Sequence, residues 1–318
     1  MDRRTFLVSL TPLVAGCFGG RRSQSTDDPA ATDTVEPTPT ATPEPTATPT
    51  ATATPEPEAS AAATELIGSV QDQLTEAVYV YTGGVSGDLL SVTADTESFR
   101  AREVLLRLGG VQRSLAEAEA EATTDDQRAT VESLDTVQRF LTQATDAQSW
   151  LIDGHDALSE AYNDIDDGDL DAAETGIETA ETAAEEVDDP MAIVRDEMNA
   201  ASAAVLDVMD ETEYENKVSQ LASEAEALST LAGEADEIRN GVSMIERARD
   251  EVVDDRTDRA ADTADRAYGV LSDVEDRLDE LLDDLPGRAD AFEEIADDMR
   301  YLASRSADDA DTIYERYA

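Results

Sequence analysis

An all-α body is predicted by three properties of this sequence. Apolar residues recur at alternating steps of three and four over long stretches. Acids and arginines fill the positions between them. Few segments combine β-branched richness with the period-two alternation of a half-buried strand. The first stripe is Leu66, Val70, Leu74, Ala77 and Tyr81. A second runs through Val104, Leu108, Val111, Leu115 and Ala118, and a third through Leu271, Val274, Leu278, Leu281 and Leu285. Breaks are expected at Gly83-Gly84 to Gly87, Thr123-Thr124-Asp125, Gly168, Asp189-Pro190, Asp254-Asp255 and Pro286-Gly287. Pro190 and Pro286 suit the first turn of a new helix, where the missing N–H costs nothing. These signals predict roughly seven to nine helices from residue 60 to residue 318. The architecture expected is a set of elongated antiparallel hairpins. Abundant alanine implies slim, closely packed helices and argues against a roomy small-molecule site.

The body carries a possible internal repeat. A displacement of 87 positions brings Gly154 onto Gly241. Val131, Leu134, Leu141 and Leu151 then fall on Val218, Leu221, Leu228 and Ile238. Ala161, Asp167, Ala173, Ala180 and Val187 fall on Ala248, Asp254, Ala260, Ala267 and Val274. The copies would span about 127–210 and 214–297, as two stacked helical-hairpin units. The segment from Ala157 through Asp171-Ala172-Ala173 resembles a tetratricopeptide hairpin turn, without the full repeat pattern.

The amino terminus reads as an address. Arg3 and Arg4 precede a short apolar run from Leu7 to Val14. Small residues then lead to Cys17, the chain's one cysteine. A twin-arginine pair before a weakly apolar run marks export of a folded protein. The small residues before Cys17 look like a lipobox. Residues 1–16 are therefore expected to be a Tat-type signal peptide, with Cys17 lipidated. Residues 17–59 form a stalk of Thr-Pro, Ala-Thr and Pro-Glu units whose prolines favour an extended, disordered tether. A lone cysteine excludes an intramolecular disulfide.

The formal charge is −51, from 74 acidic and 23 basic residues. Lys217 is the sole lysine, and every other basic residue is arginine. The acids are spread along the chain and alternate with the apolar stripes, which a disordered acidic tail would not show. At molar salt the screening length falls to ~3 Å, and such a surface is tolerated. This composition, together with Arg3, Arg4 and Cys17, resembles that of haloarchaeal Tat-exported lipoproteins. The resemblance implies a protein on the outer face of the cytoplasmic membrane, extracellular and held by the lipid on Cys17. An acidic surface without a basic stripe excludes nucleic acid as a partner.

No residue pattern marks a catalytic, cofactor or metal site. Asn163 to Glu174 partly resembles an EF-hand loop, with Gly168 at the turn position. Ile165 occupies a ligand position, so the stretch reads as an acidic hairpin turn with Asp169 capping the next helix. Trp150 and His155 are each unique. They read as a buried tryptophan beside a partly exposed histidine, since no second histidine completes a zinc set. No G-x-S-x-G elbow or glycine-rich phosphate loop is present, and no carboxylate pair stands out as a dyad. Tyr301, Tyr314 and Tyr317 on the last helical stretch are expected to pack back on the bundle. The function expected is a non-enzymatic surface scaffold or protein-interaction module with an envelope protein as partner. The alternative is a solute- or metal-binding accessory lipoprotein of a transporter.

Overall fold

The computed structural model describes residues 58–84, 88–285 and 287–318. The chain divides into two units, Met1–Thr54 and Pro55–Ala318, and all described residues lie in the second. That unit is all-α. Its helices are α1 (Ala61–Tyr81), α2 (Ala101–Glu121), α3 (Asp125–Asp167), α4 (Leu170–Glu197), α5 (Glu211–Val253), α6 (Thr257–Asp283) and α7 (Glu293–Tyr317). Short 3-10 turns occupy Leu89–Ser91, Ala200–Val205 and Asp290–Phe292. Local chemistry sets the starts. The side chains of Ser60, Thr124, Asp169 and Asp210 accept hydrogen bonds from the first-turn N–H groups of Ala63, Gln127, Ala172 and Glu213. Each satisfies a donor that the helix itself cannot.

The two long helices are the frame. α3 and α5 each contain 43 residues, or roughly 65 Å at 1.5 Å per residue. α3 packs against α2, α4 and α5, while α5 also packs against α4, α6 and α7. α1 pairs with α2, and α6 with α7. The stripes named from the sequence are turned inward: Val70, Leu74, Ala77 and Tyr81 on α1, Val104, Leu108, Val111, Leu115 and Ala118 on α2, and Leu271, Val274 and Leu278 on α6 are buried, while Leu66, Leu281 and Leu285 are half-buried, the last beyond the end of α6. Gln127 ties the starts of α1 and α3 together. Its Nε2 donates to the Ser60 carbonyl at 2.8 Å, and its Oε1 accepts from the Ser60 N–H at 3.2 Å.

The α3–α4 and α5–α6 hairpins correspond at the same displacement of 87. In the first, Gly168 adopts a left-handed φ of 81°, its N–H donates to Ile165, and the Asp169 N–H donates to Asp164. In the second, Asp255 adopts φ 61°, its N–H donates to Val252, and the Arg256 N–H donates to Glu251. Both turns end a helix by the same left-handed device. Only the first uses the residue best suited to it. Asp255→Gly is therefore expected to stabilise the fold by roughly 1 kcal/mol at most, and Asp255→Val to destabilise it. Denaturant unfolding of the two variants checks both signs.

Asp189-Pro190 does not break the chain, contrary to the sequence expectation. α4 runs through it, with Pro190 inside the helix and buried. An internal proline removes one backbone hydrogen bond, at a cost of ~3 kcal/mol. Here the helix continues because Met191 and Val194, beyond the proline, lie in the core. Pro286 lies outside the described residues.

Candidate functional site

The side chain least expected in a core is at its centre. Lys217 is fully buried, and so is Glu224, two turns further along α5. The Lys217 Nζ donates to the Val92 carbonyl at 2.7 Å, to Gln148 Oε1 of α3 at 2.7 Å and to Gln220 Oε1 at 3.0 Å. It also lies 5.5 Å from the centre of the Tyr81 ring of α1, within cation–π range. Gln220 Nε2 donates to Glu224 Oε1 at 3.1 Å, so the amide stands between the cation and the carboxylate. The Tyr81 hydroxyl reaches Gln148 Oε1 at 3.4 Å. Two buried atoms of this cluster, Gln148 Nε2 and Glu224 Oε2, have no hydrogen-bond partner.

The electrostatics follow from burial. Desolvation brings the Lys217 ammonium down to about 7, against the opposing pull of Glu224 and Asp88. Desolvation pushes the Glu224 carboxyl up to about 7, against the pull of Lys217 and a hydrogen bond from the Ala94 N–H. Burial, and then the Glu224 charge, raise the Tyr81 phenol well above its ordinary value. With two titrating groups and two amides sealed from solvent, the cluster can hold and exchange protons internally.

The segment that seals the cluster is irregular. Residues 88–96, between α1 and α2, bury Leu89, Val92 and Ala94. Their backbone is captured by one face of α5. Glu213 accepts from the Leu89 N–H at 3.0 Å, Lys217 donates to the Val92 carbonyl, and Gln220 donates weakly to the Leu90 and Val92 carbonyls. Neither Lys217 nor Glu224 appears among the site residues expected from the sequence. A signal was present. On α5 the buried positions Tyr214, Lys217, Leu221, Glu224, Leu228 and Leu231 step by 3, 4, 3, 4, 3, so both charges sit in the apolar stripe.

The residues singled out from the sequence fall elsewhere. Arg3, Arg4 and Cys17, with residues 17–57 of the expected 17–59 stalk, lie outside the described residues. The 163–174 stretch is helix, two-residue turn, helix. Asn163 to Asp167 end α3, Gly168 and Asp169 make the turn, and Leu170 opens α4. Asp169 accepts from the Ala172 N–H at 3.3 Å, and Asp166 is engaged by Arg305 of α7. Helical backbone at both ends leaves no twelve-residue loop to wrap an ion. Among the described residues no group of three or more His, Cys, Asp or Glu converges with metal-binding spacing.

Trp150 departs from expectation, while His155 is partly exposed as expected. Trp150 is 37 % exposed, while the His155 side chain is only 17 % exposed and packs edge-on to Phe292 at 5.3 Å. The reason is phase: Leu151, Gly154 and Leu158 are the buried steps of α3, which turns Trp150 outward. Two of the three C-terminal tyrosines also differ from expectation, while Tyr317 is half-buried. α7 packs through Ile295, Met299, Leu302 and Ala303, so Tyr301 is 64 % exposed and Tyr314 is exposed as well.

Surface depressions are furrows between neighbouring helices. One, between α4 and α5, has Ala184 and Ala222 at its walls and Glu181, Glu185, Asp188 and Glu226 around them. No family model matches this chain, and comparison with curated proteins and with solved structures finds no match.

Proposed function

We propose that this chain is a lipid-anchored envelope protein whose helical body is a non-enzymatic scaffold that presents helix faces to another envelope protein. The observation that supports this reading most is where the aromatic side chains lie. Tyr79 on α1, Trp150 on α3, Tyr268 on α6, and Tyr301 and Tyr314 on α7 are exposed. Tyrosine and tryptophan are enriched in interface cores, where a rigid amphipathic ring contributes contact area at low entropic cost. The titrating groups with strongly shifted protonation are instead buried in the core. Arg3, Arg4 and Cys17 add the export and anchoring parts of the proposal, and the acidic surface suits a partner met at high salt.

Two measurements test this reading. Cys17→Ser is expected to move the protein from the membrane fraction to the medium; retention at the membrane would refute a lipid-only anchor. Carboxylate-directed crosslinking in membranes at native salt is expected to capture one envelope structural protein reproducibly. Tyr301→Ser with Tyr314→Ser should reduce that capture several-fold while leaving helicity unchanged. Capture of an integral-membrane transporter, unaffected by the tyrosine changes, would favour the accessory lipoprotein instead.

A further inference from the structure

We propose that residues 88–96 form a latch over Lys217 and Glu224, and that the proton count of this pair sets how tightly the latch is closed. The geometry of the segment carries the argument. Four side chains on one face of α5, at positions 213, 217, 220 and 224, meet the backbone of a segment that contributes only one short 3-10 turn of its own. The segment therefore owes its conformation to side chains that titrate or depend on groups that do. Closed, it strips water from a cation and a carboxylate separated by the Gln220 amide, and it leaves Gln148 Nε2 and Glu224 Oε2 without partners. Opening returns water to both ions and both orphan atoms. It gives up the burial of Leu89, Val92 and Ala94. The burial of three apolar side chains is thus set against the desolvation of two ionisable groups, and that balance decides how readily the segment opens locally.

Several charged groups bear on the pair. Asp88 and Asp95 belong to the latch, Glu213 lies one turn before Lys217 on α5, and Tyr81 faces the pair from α1. α3 presents the uncharged Gln148. Opened and hydrated, the pair holds one proton between the ordinary values of 4.5 for glutamate and 10.5 for lysine. Closed, burial raises the Glu224 carboxyl and lowers the Lys217 ammonium, so the pair takes up its second proton at a higher pH, and gives up its last at a lower pH, than when open. On the acid side closure takes up a proton, and on the alkaline side it releases one. The latch therefore opens most readily near neutral pH, and closure tightens by up to roughly tenfold per pH unit in either direction.

Hydrogen exchange of the full chain at molar salt tests this, from about pH 5 to about pH 9, with rates corrected for intrinsic chemical exchange and referenced to α4. The expected result is a maximum of exchange in 88–96 near neutrality that falls severalfold towards both ends. In the Lys217→Met, Glu224→Leu double variant the profile should be flat. Glu213→Gln should raise latch exchange without moving the maximum. Exchange of 88–96 that parallels α4 at every pH in the unmodified chain would overturn the proposal, whether or not the double variant folds. So would a maximum that persists in a folded double variant.

Discussion

Glu224→Leu alone is expected to destabilise the body by ~3–5 kcal/mol, and Lys217→Met alone by a similar amount. The two changes together should be neutral or stabilising by ~1–4 kcal/mol. Each single change leaves an ion buried without its counter-charge. Removing Glu224 leaves an ammonium held by three neutral oxygens, those of Val92, Gln148 and Gln220. Removing Lys217 leaves a carboxylate already short of one partner. The double change removes both desolvation costs and fills the same volume with apolar atoms. Equilibrium unfolding in denaturant at native salt, as a double-mutant cycle, measures the coupling directly. Additive single effects, with the double variant the least stable, would show that the pair is not an electrostatic unit.

The pH dependence of global stability follows from the same two shifts. Glu224 is raised, so its contribution is full below its ordinary value near 4.5 and is lost as pH rises through about 7. Lys217 is lowered, so its contribution is full above its ordinary value near 10.5 and is lost as pH falls through about 7. The pair thus contributes least near neutrality. The difference between the stability profiles of the unmodified chain and the double variant should show that minimum, with the acid response of the many surface carboxylates largely subtracted.

Gly154→Leu and Gly241→Leu are the second pair of large effects. A Cβ at Gly154 would lie 2.5 Å from Leu228 Cδ2 and 2.9 Å from Ala183 Cβ, so three helices converge where no side chain fits. A Cβ at Gly241 would lie 2.6 Å from Leu271 Cγ. Even alanine presses α3 against α5 and α4, or α5 against α6, at an overpacking cost of typically 1–3 kcal/mol. Leucine should exceed that and unfold a marginal protein. Gly109, Gly233 and Gly269 are helical glycines with open space around them. Alanine at those sites should stabilise by up to ~1 kcal/mol through helix propensity. Thermal unfolding of the two sets separates packing from propensity, because propensity alone predicts the same sign for all.

Much of the fold was legible because its causes are local. The stripes of α1, α2 and α6, the capping aspartate at 169 and the turns at Gly168 and Asp255 are each written within a few residues of where they act. The displacement of 87 that aligns Gly154 with Gly241 also aligns the two left-handed turns at Gly168 and Asp255. Pro190 was misjudged for the opposite reason. The local rule against proline inside a helix is outweighed by the burial of Met191 and Val194 beyond it. Trp150 was misjudged because rarity and size suggest burial, while the phase of α3 decides exposure.

By itself the sequence determined that this chain is a set of amphipathic helices with an acidic exterior, since periodicity and charge act along the chain. Only the tertiary structure decided what holds its single lysine inside. The α5 stripe turns Lys217 toward the core, but two of the three oxygens that hold its ammonium lie far away in sequence. They belong to Val92 and to Gln148, 125 and 69 residues away. A backbone segment without its own helix or sheet must find hydrogen-bond partners where the fold delivers it, and here the fold delivers it to α5.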